Sequence, residues 1–231
     1  MFKLLEAHLE KHKEKKEMRE SMQSLIDEST ITVKFILFSI LSGLIAALGI
    51  MMDNVTILIG AMLIAPLLIP VISLSVGVGA GSIKLISHSI KSLTIGMLLA
   101  LGSSMLMTVI VAPAEINRDI YASFGDTYLY AIVAFIAGVV AVYSWFKPKM
   151  NQVIPGVAIA VALVPPIAFA GTIIVLKNQY WLADVLQLIF INLGGIFLGG
   201  LLTFLTFAFV SKRPTLEVEK QVHIEVEKKE K

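Results

Sequence analysis

The sequence predicts an all-α integral membrane protein, and three observations indicate this fold class. Hydrophobic residues make up 57% of the 231 positions and charged residues only 16%, whereas soluble domains are about 45 to 50% apolar. The charged residues crowd into the two ends of the chain. The stretch between them divides into apolar runs of about 20 residues, the length that a helix needs to cross a bilayer core. An ordinary soluble enzyme is therefore excluded.

Six apolar stretches meet the length requirement for a membrane span. In chain order they are Ile31–Met52, Val55–Gly81, Ser92–Ala112, Tyr128–Trp145, Ile154–Val175 and Leu182–Val210. The chain is accordingly divided into a polar cytoplasmic helix (1–30), a first three-helix repeat (31–112), an outer loop (113–127), a second three-helix repeat (128–210) and a charged tail (211–231). The N-terminal stretch lacks the short apolar region of a signal peptide, so we expect the first span to remain in the protein.

The distribution of basic residues predicts the orientation in the membrane. With the N-terminus inside the cell, 17 of the 19 Lys and Arg residues fall on the cytoplasmic side, and only Arg118 and Lys177 fall on the other. We therefore expect a multi-pass protein of the cell membrane with both termini in the cytoplasm. The net charge of +2 and the absence of a basic patch argue against nucleic acid as a partner.

The head and the tail show different periodicities. Residues 2–28 are rich in strong helix formers and predict a cytoplasmic helix. In the tail, apolar residues from Leu216 to Val226 alternate with polar ones, which predicts a β-strand. A single strand has unpaired edges and needs a partner strand, so the tail favours a homo-oligomer or a second protein.

The two halves of the chain resemble each other when they are aligned with a shift of 99 residues. The shift places Pro66 on Pro165 and Gly96 on Gly195. Because each half contains three spans, an odd number, the second copy must insert upside down relative to the first. Inverted repeats of this kind occur in many secondary transporters, whose substrate sites lie near the bilayer midplane at paired broken helices.

The second and fifth spans have the composition of broken helices. An internal proline removes one amide donor and clashes with the carbonyl four residues earlier, so it kinks or breaks a helix. Freed carbonyls at membrane depth must face protein or water, where they can coordinate a cation or a polar solute. Simple kinks satisfied by neighbouring helices are the alternative. The residues concerned are Gly60, Pro66 and Pro70 in the second span and Gly156, Pro165 and Pro166 in the fifth.

Neutral polar residues complete the predicted midplane site. Asn54 precedes the second span, Asn151 precedes the fifth, and Ser103 lies in the third. Asn192 lies inside the apolar sixth span and must find hydrogen-bond partners there, either as a ligand contact or as a clamp between helices. The glycines of the sixth span favour close helix packing.

No enzyme is expected. The four histidines lie in the head, in the tail or at a predicted membrane interface, and no span contains a metal-binding or nucleophile motif or a pair of carboxylates. The absence of cysteine removes thiolate chemistry and disulfides. Neither a cofactor nor a metal is predicted.

Two sequence motifs resemble a known family. The first is Asp53-Asn54 followed by Ile59-Gly-Ala-Met-Leu-Ile-Ala-Pro66-Leu67 and Pro70; the second is Gly156-Val-Ala-Ile-Ala-Val-Ala-Leu-Val-Pro165-Pro166 with the later Asn192-Leu193. Together they resemble the hydrophobic family called domain of unknown function 389, over about residues 30–212. The resemblance implies a prokaryotic integral membrane protein with a multi-span core, and it implies no established activity.

The favoured function is a transporter or channel for a small ion or polar solute, with its site between the broken second and fifth spans. Carbonyls and neutral polar groups suit a monovalent cation, whereas helix N-termini suit an anion, and the sequence leaves both open. The alternative is a scaffold or sensor subunit that transports nothing. The expected partners are the lipid bilayer, the small ion or solute, and further copies of the chain.

Overall fold

The computed structural model describes residues 20–113, 127–146, 163–177 and 179–210, and within these ranges the chain is helical with short connections. Residues 20–29 form the end of a helix, α1. The helices that follow are α2 (Val33–Met51), α3 (Val55–Ile64), α4 (Leu68–Ala80), α5 (Ile83–Val111), α6 (Thr127–Trp145), α7 (Val164–Val175) and α8 (Leu182–Val210), with a 3-10 turn at Gln179–Trp181 before α8.

Polar caps explain where several helices begin. The side chain of Thr32 accepts a hydrogen bond from the Phe35 amide at the start of α2, and Ser82 accepts one from Leu85 at the start of α5. Such caps satisfy amides that have no partner within the helix. Because Ser82 supplies a cap, α5 begins at Ile83 and not at Ser92, where the hydropathy alone placed the start of the third span.

Within the described residues, four helices are long and apolar enough to cross a membrane, namely α2, α5, α6 and α8. The pair α3 and α4 also qualifies when it is counted as one span bent by 50°. The apolar helix α7 has 12 residues, and the preceding part of the predicted fifth span, 154–162, lies outside the described residues. These helices indicate a membrane protein, and the break predicted in the second span is confirmed.

Large apolar side chains cover the outer faces of these helices. Leu37, Leu98, Ile136 and Leu202 are each at least half exposed. An exposed apolar surface of this extent is unfavourable in water. It suits helices whose outward faces contact lipid while small residues fill the interior.

Helices α2 and α5 run parallel and pack closely. Gly96 of α5 lies against the ring of Phe35, and Gly43 of α2 lies against the backbone of Ala100 and the hydroxyl of Ser103. The contacting residue numbers increase together along both helices, which fixes the parallel direction. Small residues at the contact allow the two backbones to approach each other.

Helices α6 and α8 pack in the same way. Gly195 lies against Ala134, and a Cβ added to Gly138 would overlap the backbone of Ile196. The numbers again increase together, so α6 and α8 are also parallel. Both helix pairs join residues about 60 positions apart, as Phe35 and Gly96 or Ala134 and Gly195 illustrate.

The centre of the bundle is formed by α4 and α7. Helix α4 packs against α5 and α8, and α7 packs against α5, α2 and α8. Every residue of α7 from Val164 to Ile173 is buried. Pro70 in the first turn of α4 and Pro165 and Pro166 in the first turn of α7 are buried, whereas Pro66 at the break is half-buried.

Helix α1 is docked on one end of the bundle. Its apolar side chains Met22, Leu25 and Ile26 are buried, and the indole Nε1 of Trp145 donates a hydrogen bond to the Ser21 carbonyl over 2.9 Å. The helical prediction for the head is confirmed for residues 20–29. Residues 1–19, the outer loop from 114 to 126 and the predicted tail strand at 211–231 lie outside the described residues.

Candidate functional site

The break between α3 and α4 lies at Pro66. The last backbone hydrogen bond of α3 joins the Ala65 amide to the Ala61 carbonyl over 3.2 Å. Pro66 has no amide hydrogen, so it cannot continue the ladder to the Met62 carbonyl. Helix α4 begins at Leu68 after a 50° bend. The carbonyl end of α3 therefore meets the start of α4 inside the predicted span.

Helix α7 begins with two prolines inside the core. Pro165 and Pro166 occupy its first turn, and Leu163 at the N-cap provides no side-chain hydrogen bond. Proline is well suited to a first turn because its fixed φ matches the helix. These prolines therefore lie at the start of a helix; whether the predicted fifth span is broken before them depends on residues 154–162, which lie outside the described residues. Both prolines are buried.

A stripe of small and hydroxyl residues runs along α5. The buried positions of this helix are Leu85, Ser89, Ser92, Gly96, Ala100, Ser103, Ser104 and Thr108. Apart from the adjacent pair Ser103 and Ser104, which face different neighbours, they recur every three or four residues and therefore lie on one side of the helix. Gly96 lies near the middle of this stripe, and a Cβ added there would lie 2.6 Å from the Leu67 side chain, next to the break.

Beyond Gly96, toward Val111, the stripe contacts α7 through hydroxyl groups that have partners. Ser104 Oγ donates to the Leu101 carbonyl over 2.7 Å, and Gly171 of α7 lies directly against this hydroxyl. Thr108 Oγ1 lies 3.2 Å from Thr172 Oγ1, which donates to the Ala168 carbonyl over 2.9 Å. Close helix approach and satisfied hydroxyls characterise this interface.

Before Gly96, toward Ile83, the hydroxyls differ. Ser89 and Ser92 are fully buried, and neither Oγ has a hydrogen-bond partner among the described residues. The same is true of Ser73 on α4, Ser39 on α2 and Ser144 on α6. A buried hydroxyl without a partner costs about 1 to 3 kcal/mol. Five such groups in the interior need an explanation.

The predicted site residues are distributed over several places. Asn54 caps α3, since its Oδ1 accepts hydrogen bonds from the amides of Thr56 and Ile57 at 3.0 and 3.3 Å. Ser103 donates to the Ala100 carbonyl and faces Gly43 of α2, on the side of α5 that packs against α2.

Gly60 lies in α3 with open space beside it, Pro66 lies at the break, and Pro70 is buried in the first turn of α4. Asn192 is buried in α8 and has an interaction partner there. The structure brings Pro66 next to α5 and places Pro165 and Pro166 at the start of the neighbouring helix α7. Asn151 and Gly156 lie outside the described residues.

Sequence reasoning missed the hydroxyls of Ser73, Ser89, Ser92, Thr108 and Thr172 as candidates. Their signal was the helical spacing of Ser89, Ser92 and Gly96 along one side of α5. A hydropathy profile does not reveal this spacing, because a serine scarcely changes the mean hydropathy of a span. Within the described residues, no group of three or more His, Asp, Glu or Cys residues is placed to hold a metal ion.

Comparison with known proteins agrees with the resemblance in the motifs. The family model described as "Domain of unknown function (DUF389)" matches residues 62–198. An uncharacterized protein of Methanocaldococcus jannaschii is 31% identical over 171 residues, which cover 74% of this chain and 53% of that protein. The chain thus spans about half the length of this relative. No solved structure matches.

Proposed function

Since the chain belongs to the DUF389 family, whose name records no activity, we propose from the geometry that it is a transporter or channel for a small monovalent cation. One observation carries the proposal. A helix break lies within an apolar span at Pro66, which is half-buried, and the buried neighbouring residue Leu67 lies against the small-residue stripe of α5. Irregular backbone at membrane depth is tolerated where it lies in protein or lines a polar cavity.

The prolines favour a cation over an anion. The start of a helix offers amide donors that suit an anion, but Pro165 and Pro166 remove two of the first three donors of α7. Pro70 removes another from the first turn of α4, and Pro66 leaves the Met62 carbonyl without its usual donor. The start of α7 therefore offers few amide donors to an anion, and the Pro66 break leaves a carbonyl without its usual donor; carbonyl oxygens are the groups that coordinate sodium at broken helices in transporters.

We further propose that the bundle is built from six spans in two inverted three-helix repeats, with both termini in the cytoplasm. Helices α5 and α8 each have 29 residues, and their ends are 99 positions apart, at Ile83 and Leu182. In the parallel pair α2 and α5, contacting residues are about 60 positions apart, and the same separation holds in the parallel pair α6 and α8. Helix α4 runs parallel to α8, because Ser75 contacts Phe197 and Gly79 contacts Phe204.

The directions of the helices support the same plan. Helices α2 and α5 run one way, and α4, α6 and α8 run the other. The plan gives α7, which packs against α5 at Gly171 and Thr172, the direction of α5. This is the alternation that an inverted second repeat requires. A homo-oligomer stays a prediction, because the tail strand on which it rests lies outside the described residues.

The test is flux into proteoliposomes that contain the purified protein, measured for sodium, potassium and lithium and for chloride and small neutral solutes. We expect selective cation flux that is at least about tenfold lower in Pro66→Ala and in Asn192→Ala. Pro113→Ala, which lies after the end of α5, is the matched control and retains flux. Anion flux would reverse the choice of substrate class, and the absence of any flux from folded protein would favour a scaffold or sensor.

A further inference from the structure

Two contacts fix the register between α4 and α5. A Cβ added to Gly77 would lie 3.2 Å from the Ile86 amide nitrogen, and a Cβ added to Gly96 would lie 2.6 Å from Leu67 Cδ2. In both pairs the residue numbers add up to about the same value, as expected for antiparallel helices. The turn at Gly81, whose φ is +72°, connects the two helices.

This register places three serines on the α4–α5 interface. Between its two fixed ends, Ser73 lies opposite Ser89, and Pro70 lies opposite Ser92. On α4 the interface positions are Leu67, Pro70, Ser73, Gly77 and Ala80; on α5 they are Leu85, Ser89, Ser92 and Gly96. All of them are buried. The spacing of three and four residues is that of one helix face in each case.

The three interface serines, Ser73, Ser89 and Ser92, are those of the five unpartnered buried hydroxyls that lie on the α4–α5 interface. Each is 0% exposed, and none of the three Oγ atoms has a hydrogen-bond partner among the described residues. By contrast, Ser75 on the other side of α4 donates to the carbonyls of Val71 and Phe197. A serine in a helix readily bonds the carbonyl three or four residues earlier, so hydroxyls that make no such bond leave three oxygens on one interface available to a ligand.

The chemistry of the interface selects the ligand. Hydroxyl oxygens lie on both helices, and Pro70 has no amide to offer to the Pro66 carbonyl one turn earlier. The interface positions include no Lys, Arg or His that would bind an anion, and no Asp or Glu, which Ca²⁺ and Mg²⁺ require. Neutral oxygens without carboxylates suit a monovalent cation.

We propose that the three interface serines bind a small monovalent cation such as sodium, on the part of the α4–α5 interface between the Pro66 break and the start of α5. This inference deepens the proposed function, on which it rests for the choice of cation. In the proposed orientation the site lies in the cytoplasmic half of the bundle. Its end nearest the cytoplasm is adjacent to α1, where Thr30 Oγ1 lies 3.5 Å from His88 Nε2.

The first test is the thermal stability of the full chain in detergent with sodium chloride or with the same concentration of N-methylglucamine chloride. Sodium is expected to raise the melting temperature of the native protein, because a ligand that binds only the folded state stabilises it. Ser73→Ala and Ser89→Ala should lose this increase and remain folded, since removing an unpartnered hydroxyl leaves no new group unsatisfied. Ser75→Ala, the matched control on α4, should retain it.

The second test uses the absence of cysteine in the chain, which makes every introduced cysteine unique. Leu85→Cys, one turn from Ser89 on the same interface, leaves the three serine hydroxyls in place and is labelled with a small thiol reagent in proteoliposomes, with and without sodium. At a sodium concentration ten times the dissociation constant, labelling should be about tenfold slower, since only the unoccupied site reacts. Ser87→Cys, on the exposed side of α5, should be labelled at a rate that sodium does not change.

The results separate this inference from the proposed function. Sodium-dependent stability and protection without flux would retain the cation site and reject transport. Flux with neither effect would retain transport and overturn the site. If sodium, potassium and lithium all fail to change the melting temperature, or if Ser89→Ala keeps the full sodium effect, the three serines do not bind a cation.

Discussion

The contact between α6 and α8 makes a quantitative prediction about two glycines of the same helix. A Cβ added to Gly199 would overlap the Phe135 carbonyl oxygen and lie 3.0 Å from the Val139 amide nitrogen. A Cβ added to Gly194 would find no atom within 4 Å. The same substitution, glycine to alanine, should therefore have opposite effects at positions five residues apart.

The magnitudes follow from the atoms involved. Overpacking a core costs about 1 to 3 kcal/mol, and the upper end applies to Gly199→Ala because the obstructing atoms belong to backbone, which cannot rotate away. A loss of 3 kcal/mol is about a 100-fold change in the unfolding equilibrium. Gly194→Ala should instead stabilise the protein by about 0.5 to 1 kcal/mol, because alanine is the better helix former.

The assay is unfolding of both variants in mixed micelles by a titration of dodecyl sulfate, followed by the circular dichroism of the helices. We expect the Gly199→Ala midpoint below that of the native chain and the Gly194→Ala midpoint at or above it. Equal midpoints for the two variants would refute the reasoning, because they would mean that α6 and α8 are not in backbone contact at Gly199.

Three further predictions concern the break and the head. Pro66→Ala restores a donor to the Met62 carbonyl, so it should leave the unfolding midpoint unchanged or raised while it lowers cation flux; a loss of stability would mean that the break is required for folding. Trp145→Phe removes the hydrogen bond to the Ser21 carbonyl, which is worth about 1 kcal/mol, and should speed proteolysis within α1 without changing cleavage in denaturant. Desolvation raises the pKa of the Glu28 carboxyl, and a hydrogen bond from Ser24 opposes this, while the side chain stays exposed. A small loosening of α1, measured as faster amide hydrogen exchange, is therefore expected as the pH rises through the carboxyl range, and Glu28→Gln should remove it.

The sequence predicted the fold through physical signals that do not depend on tertiary context. Apolar length located α2, α5, α6 and α8, and the proline at position 66 located the break. The start of α5 was misplaced because hydropathy averages over Lys84 and Lys91, whereas the helix start is decided by one hydroxyl, that of Ser82. Capping is a local interaction that an average over some twenty residues cannot detect.

The candidate site was less predictable, because it depends on which faces of two helices meet. Ser103 and Ser104 are neighbours in sequence, yet Ser103 faces Gly43 of α2 and Ser104 faces Gly171 of α7. A step of one residue turns a helix by about 100°, so adjacent serines serve different interfaces. Only the register between α4 and α5, which the contacts of Gly77 and Gly96 set, identifies the serines that lie together.

If the two halves of the bundle follow the proposed inverted-repeat plan, they differ in polarity. The shift of 99 residues that aligns α5 with α8 places Thr172, Leu188 and Ile191 at the positions of the three interface serines. The threonine is satisfied by the Ala168 carbonyl, and the other two are apolar. A symmetric pathway would need equivalent ligands in both halves. In that plan, the proposed cation site lies in the first half alone. Loss of Ser89 should abolish cation binding, and binding should not depend on Leu188 or Ile191.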